Sequence, residues 1–281
     1  MARIIVLLLG LFLAGTALAA GPDVDELLFA GADAQYRGDL GSAAASFEKA
    51  LAADPGNEFA LNQLGLIRAK TERFDEAAKL FDRVIAAAPD NTYARVMRAV
   101  LFLREGQVAK AMEQLTETVR LDPANANAWY FMGVVYLVEH NLQEAVACLR
   151  KAQAAGSDDP ETHYRLGLAF SGLDMSANAR LEFERALALN PKHTKALTAL
   201  GWVLFNAGER EPALESWKKV LEVNPQDAEA QLSLAKVLND EAYAAYQAGK
   251  PDAAKALWTE TLRFEPKNKA AEYYLGRLKK K

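Results

Sequence analysis

Tyr164-Arg165-Leu166-Gly167-Leu168-Ala169-Phe170, followed by Ala179, Phe183, Ala186 and Pro191, is the stretch that decides the fold. Its apolar residues recur at i, i+3, i+4 and i+7 on either side of a polar turn, the pattern of two amphipathic helices. Pro191 stops the second helix, because it has no N–H to donate and restricts the residue before it. The same text runs outward in both directions. Ahead of Pro225 stand Leu197, Leu200-Gly201-Trp202, Leu204, Gly208, Ala213, Trp217 and Val220; ahead of Pro89 stand Leu61, Leu64-Gly65, Ala77, Phe81 and Val84. Pro55, Pro89, Pro123, Pro191 and Pro225 share one 34-residue grid, Ser157 takes the vacant grid point, and Pro266 follows Pro225 by 41 residues. A fixed period of this length is the signature of a repeat array, in which each unit buries its apolar faces against its neighbours.

Small residues mark where helices cross. Gly31, Gly65, Ala99, Gly133, Gly167, Gly201 and Ala235 recur in the first helices, and Ala43, Ala77, Ala111, Ala145, Ala179, Ala213 and Ala254 in the second. Bulky Phe47, Phe81, Phe183, Trp217 and Trp258 fill the space beside them. Gly38, Gly106, Gly208 and Gly249 share the turn between helices, where a left-handed residue ends the first one.

Repeated in register, this pattern of Trp/Leu, Leu-Gly, Tyr/Phe, Ala, Phe, Ala and Pro resembles the tetratricopeptide repeat family over about residues 24 to 268. The resemblance implies an all-α, right-handed superhelical solenoid. Seven units start near Val24, Glu58, Thr92, Ala126, Pro160, Thr194 and Ala228, and a capping helix over 269–281 opens like an eighth unit with Tyr273-Tyr274-Leu275-Gly276. Some positions depart from the pattern. Arg95 and Arg98 stand where Leu or Trp is usual, which predicts loose packing of the third unit's first helix, and Arg68 replaces an aromatic. The seventh unit carries seven extra residues, close to two helical turns, so one long helix over about 228–248 is expected.

Residues 1–19 read as a segment outside the fold, with 20–23 as a short linker before the array over 24–281. Met1-Ala2-Arg3 is basic, Ile4 to Leu18 is apolar, and Ala17-Leu18-Ala19 offers a small-x-small cleavage site, the composition of a secretory signal peptide. An uncleaved inner-membrane anchor is the alternative, and no later run is apolar enough to span a bilayer. An exported tetratricopeptide chain with one cysteine, Cys148, fits the bacterial periplasm. That thiol is either buried and inert or part of an intermolecular disulfide. The chain carries a net charge of −4, and losing Arg3 makes the remainder more acidic, which argues against nucleic acid as the main partner.

No catalytic constellation is apparent and no cofactor or metal is implied. His140, His163 and His193 form no HExxH pair, and no nucleophile elbow or phosphate loop is present. His140 takes a turn glycine's place, His163 a helix-opening place, and His193 follows a repeat-ending proline. Asp158-Asp159-Pro160-Glu161 reads as a loop and helix N-cap.

In the family, the first helix of each unit lines the concave face. Projecting the helical period there gives Phe59, Asn62, Leu66 and Lys70; Tyr93, Val96, Val100, Leu103 and Arg104; Tyr130, Val134, Leu137 and Val138; Tyr164 and Leu168; and Trp202 and Phe205. The seventh unit turns polar, with Glu229, Lys236, Asn239 and Asp240. The family's clamp for acidic tails is not filled, since only Asn62, Lys70 and Arg104 qualify. An apolar or amphipathic segment of a protein partner is therefore the expected ligand. The scaffold or adaptor reading stands beside two others, self-association and a periplasmic chaperone.

Overall fold

The computed structural model describes residues 23–278. The N-terminal segment, its cleavage site and the last three lysines lie outside them. The described residues form fifteen α-helices joined by tight turns. The chain divides into two compact units, one ending at Pro123 and one beginning at Ala124.

The first unit holds α1 (Val24–Tyr36), α2 (Leu40–Ala53), α3 (Glu58–Lys70), α4 (Phe74–Ala87), α5 (Thr92–Arg104) and α6 (Val108–Leu121). Each odd helix pairs with the even helix after it. Asp23, Asn57 and Asn91 cap the odd helices, their side chains accepting backbone N–H groups of the first turn. Phe47 and Phe81 are fully buried, packed with Ala43 and Ala77.

The third repeat is not loose. Arg98 pairs with Asp82 at 2.8 Å and stacks over the Phe102 ring at 3.7 Å, while Arg95 donates to the Pro89 carbonyl at 2.8 Å and to Gln114 at 2.7 Å. Long arginine stems fill the apolar gap, and the Arg98 guanidinium stays largely covered, its Nη1 buried without a hydrogen-bond partner. Arg68 behaves likewise, buried and paired with Glu48 and Glu76.

The second unit holds α7 (Ala126–Val138), α8 (Leu142–Ala154), α9 (Pro160–Gly172), α10 (Ser176–Leu189), α11 (Thr194–Asn206), α12 (Arg210–Val223), α13 (Ala228–Gln247), α14 (Pro251–Phe264) and α15 (Lys269–Leu278). Its main core joins Leu149, Leu166, Phe183, Leu200, Trp217 and Leu234. A smaller cluster of Ala242, Ala254, Trp258 and Ala271 closes the far end. The long helix forms as expected, with one refinement. Ala242, not Ala235, crosses Trp258, so the extra two turns separate the stretch of α13 that packs on the main core (Leu234, Val237) from the stretch that packs on α14.

The turn glycines adopt positive φ as expected: +80° at Gly38, +72° at Gly106, +82° at Gly208 and +71° at Gly249. The other repeats put Glu72, His140 and Asp174 in the same conformation at 58° to 61°. That costs about 1 kcal/mol for a residue with a side chain.

Candidate functional site

In the second unit the odd helices α7, α9 and α11 lie side by side, α9 touching both others. Asn125, Asp159 and His193 cap their N-termini and so fix their register. Tyr130, Leu137, Tyr164, Leu168, Trp202 and Phe205 are half-buried and pack on one shared core. The sequence-selected residues of this unit are therefore brought together. Tyr164 tilts over Phe183 at 6.1 Å and over the His193 ring at 5.2 Å. Trp202 meets Trp217 edge-on at 5.1 Å and Phe205 at 6.0 Å. Trp217 is fully buried and donates its indole N–H to the Thr198 carbonyl at 3.3 Å, so it anchors Trp202 from beneath.

A cavity of about 330 Å³ opens between these aromatics, lined by Tyr164, Leu168, Phe183 and Trp202, with Lys195, Asp227 and Glu229 on its polar side. The Lys236 ammonium stands 6.0 Å over the Trp202 ring. A polar chain crosses the same face. Arg165 is held by Glu161 at 2.7 Å near the Tyr130 phenol, and Glu161 also meets His193 Nε2 at 3.3 Å. Burial works against the Arg165 charge, but Glu161 and the Tyr130 oxygen outweigh it and hold the guanidinium above its ordinary value. Burial pushes the phenols of Tyr130 and Tyr164 up, so both stay neutral donors. An aromatic surface with a fixed, satisfied polar chain has the composition of an interface core and rim. Sequence projection missed this chain, although Glu161 and Arg165 stand one helical turn apart, the spacing of an ion pair.

The first unit carries its own set. Phe59 and Tyr93 are 48% and 42% exposed, each edge-on to a buried phenylalanine, Phe47 at 6.0 Å and Phe81 at 6.4 Å. Leu103 is half-buried. Arg104 lies over the Phe74 ring at 3.3 Å. Asn62 is half-buried, its Oδ1 enclosed without a hydrogen-bond partner. Val96 departs from expectation: it is only 5% exposed and faces the core. Among the described residues no group of three or more His, Cys, Asp or Glu is placed to hold a metal ion. No described helix is long and apolar enough to cross a membrane.

Family models of the tetratricopeptide repeat match residues 34–101 and 176–238, and a second such model 239–278, together more than half the chain. A model described as anaphase-promoting complex, cyclosome, subunit 3 matches residues 70–152. Among solved structures, the chain is similar to the C-terminal part of a TPR repeat-containing protein from Cytophaga hutchinsonii, at 18% identity and a TM-score of 0.67, over 90% of this chain and 99% of that one. It is also similar to YrrB, reported as a TPR protein with an unusual peptide-binding site, at 23% identity and a TM-score of 0.57, over 70% and 97%. The Cut9–Hcn1 hetero-tetramer of the APC/C matches at 19% identity and a TM-score of 0.63, over 92% of this chain and 50% of that one. At these identities the likeness speaks for the fold alone.

Proposed function

Because the chain belongs to the tetratricopeptide repeat family, whose general role is protein–protein interaction, we propose that it is a non-enzymatic scaffold whose second unit takes an apolar or amphipathic segment of a partner protein on the α7–α9–α11 face. The observation that carries this reading is the row of Tyr130, Tyr164 and Trp202, each half-buried over one core, with Tyr164 and Trp202 lining an open cavity. Water is a poor covering for such a row, and rigid aromatics lose little side-chain entropy when a ligand covers them. In the first unit, Phe59 and Tyr93 are further exposed aromatics, each resting on its own buried phenylalanine. The proposed place of work is the bacterial envelope, with residues 1–19 directing export; the composition of that segment and the single cysteine support it.

Photo-crosslinking amino acids at positions 130, 202 and 222 in living cells test this. Glu222 is exposed on α12, away from the aromatic row. One foreign protein crosslinked from 130 and 202 but not from 222 is the expected result. Identical adducts from all three positions, or none, would overturn the face assignment. A ladder of the protein itself would support self-assembly instead, and a smear of many clients a chaperone. Fusion of alkaline phosphatase after residue 23 tests export separately, since the enzyme is active only where disulfides form.

A further inference from the structure

The most exposed aromatic rings among the described residues lie on α1 and α15: Tyr36 is 92% exposed, Phe29 76% and Tyr273 61%. On α1, Asp25, Glu26, Phe29, Asp33 and Tyr36 recur at helical spacing on one side, opposite the buried Gly31 and Ala34. The helix contains no Lys, Arg or His, and Arg37 just beyond it pairs with Asp33 at 2.9 Å. On α15, Lys269, Tyr273, Gly276 and Arg277 are exposed together with one acid, Glu272, while Ala271 faces the core. An acidic aromatic face therefore stands on α1 and a mainly basic one on α15.

Gly276 gives the α15 face its shape. It is the eighth residue of its helix, the place that Gly167 holds in α9 and Gly201 in α11. In those helices a Cβ at that place would stand 2.4 Å from Phe183 or Trp217, whereas at Gly276 it would meet nothing within 4 Å. The backbone is thus shaped to receive a ring, and the position is open. In the sister repeats the ring comes from an even helix, which runs antiparallel to its odd partner because a tight turn joins them. The α1 face fits the same arrangement. Laid antiparallel on α15 with Phe29 over Gly276, it brings Asp25 and Glu26 within one turn of Arg277, and Asp33 within one turn of Lys269. Glu272, near Asp33, makes the one like-charge contact.

We propose that α15 is a docking site for α1 of a second copy of this chain, with Phe29 seated at Gly276 and the acids of α1 beside Lys269 and Arg277. The two patches differ, so the contact is heterologous: each copy can take one neighbour on α1 and another on α15, and association continues in series. A single helix pair is small beside the about 1,200 Å² that a stable interface buries. Association is therefore concentration-dependent, and its opposite charges make it weaken with salt. The α7–α9–α11 face takes no part, so the proposal stands apart from the function proposed above and leaves that face free.

The test places a photo-crosslinking amino acid at position 29 of the full chain in living cells. The expected product is a ladder at multiples of the chain's mass, with adduct peptides from residues 269–278. Adducts on α7, α9 or α11 of a second copy, on a foreign protein only, or within one chain at monomer mass would each overturn the proposal, and so would no adduct. Asp25→Lys/Glu26→Lys should cut the ladder about tenfold or more, and adding Lys269→Glu/Arg277→Glu to the same chain should restore it. Gly276→Leu, which fills the open position from within, should abolish the ladder and leave helicity unchanged. An undiminished ladder in Gly276→Leu, or no recovery in the folded charge-swapped chain, would refute the docking. If a charge variant does not fold, sedimentation of the wild-type chain, purified as the cell processes it, decides. Its mass should rise with concentration at low salt and fall back in about 1 M salt, where charges are screened beyond about 3 Å. A monomer mass at every concentration would refute it.

Discussion

Five glycines in the odd helices work as sockets. A Cβ on Gly167 would stand 2.4 Å from the Phe183 ring, one on Gly201 2.4 Å from the Trp217 indole, and similar clashes occur at Gly31, Gly65 and Gly133. Gly167→Ala should therefore destabilise the chain by about 1–3 kcal/mol through overpacking, although Ala favours helix by about 1 kcal/mol. Gly276 has nothing within 4 Å, so Gly276→Ala should be neutral or stabilising. Urea midpoints of the two variants check the contrast. Burial pushes the Cys148 thiol up, which predicts slow reaction with a thiol reagent in the native chain and fast reaction in urea. Asp159 is a second residue-scale test. Burial raises its carboxyl, but hydrogen bonds from Ser157, Thr162 and the helix N-terminus outweigh this and hold it below 3.8. A depressed carboxyl stabilises the fold above its unfolded value and loses that contribution as pH falls through the folded one. Asp159→Ala should cost about 1 kcal/mol near neutrality, and the gap to wild type should close in acid. The sockets were legible in the sequence because glycine and aromatic recur sixteen residues apart. The buried contact between His163 and Glu182, at 2.6 Å, was not, since neither residue recurs in the sister repeats. Glu72, His140 and Asp174 show the same limit: a left-handed turn is readable when glycine fills it, and only by register otherwise.

At the scale of the helix, the 34-residue period predicted each pair of helices and its turn. What it could not supply was the partner of each polar side chain. Arg95 and Arg98 looked like faults in the third unit, yet they reach Gln114 and Asp82 on the neighbouring helices. Side-chain length, invisible in an apolar pattern, decides such cases. The seven-residue insertion in α13 was readable because seven residues nearly complete two turns. Deleting 236–242 should bring Ala235 over Trp258 and keep the small end cluster, with Trp258 still shielded from fluorescence quenchers. A five-residue deletion turns the face by about 140° and should expose it. Equal quenching in the two deletions would refute the account of the insertion.

For the whole molecule, the repeat period made the class of protein legible, and the family matches agree with it. The proposed face was legible in part. Helical projection found Tyr130, Tyr164 and Trp202, which share one core in the second unit, but placed Val96 on the wrong side. It also passed over the group of Tyr130, Arg165, Glu161 and His193, whose members come from two helices and one cap. The identity of a partner is written in neither the period nor the face, because an apolar row specifies a kind of ligand and not a sequence.

The most direct measurement is calorimetric binding of the partner captured at position 130 to the wild-type chain, the Tyr130→Ala/Trp202→Ala variant and a Glu222→Ala control. Circular dichroism would be recorded on each, since Trp202 also rests on Trp217. The account predicts a loss of about thirtyfold or more in the double variant, the scale of removing hot-spot aromatics. Helicity should be unchanged and the control should bind like wild type. Wild-type affinity in a folded double variant would contradict it, and so would loss of helicity, which would make these aromatics core rather than surface.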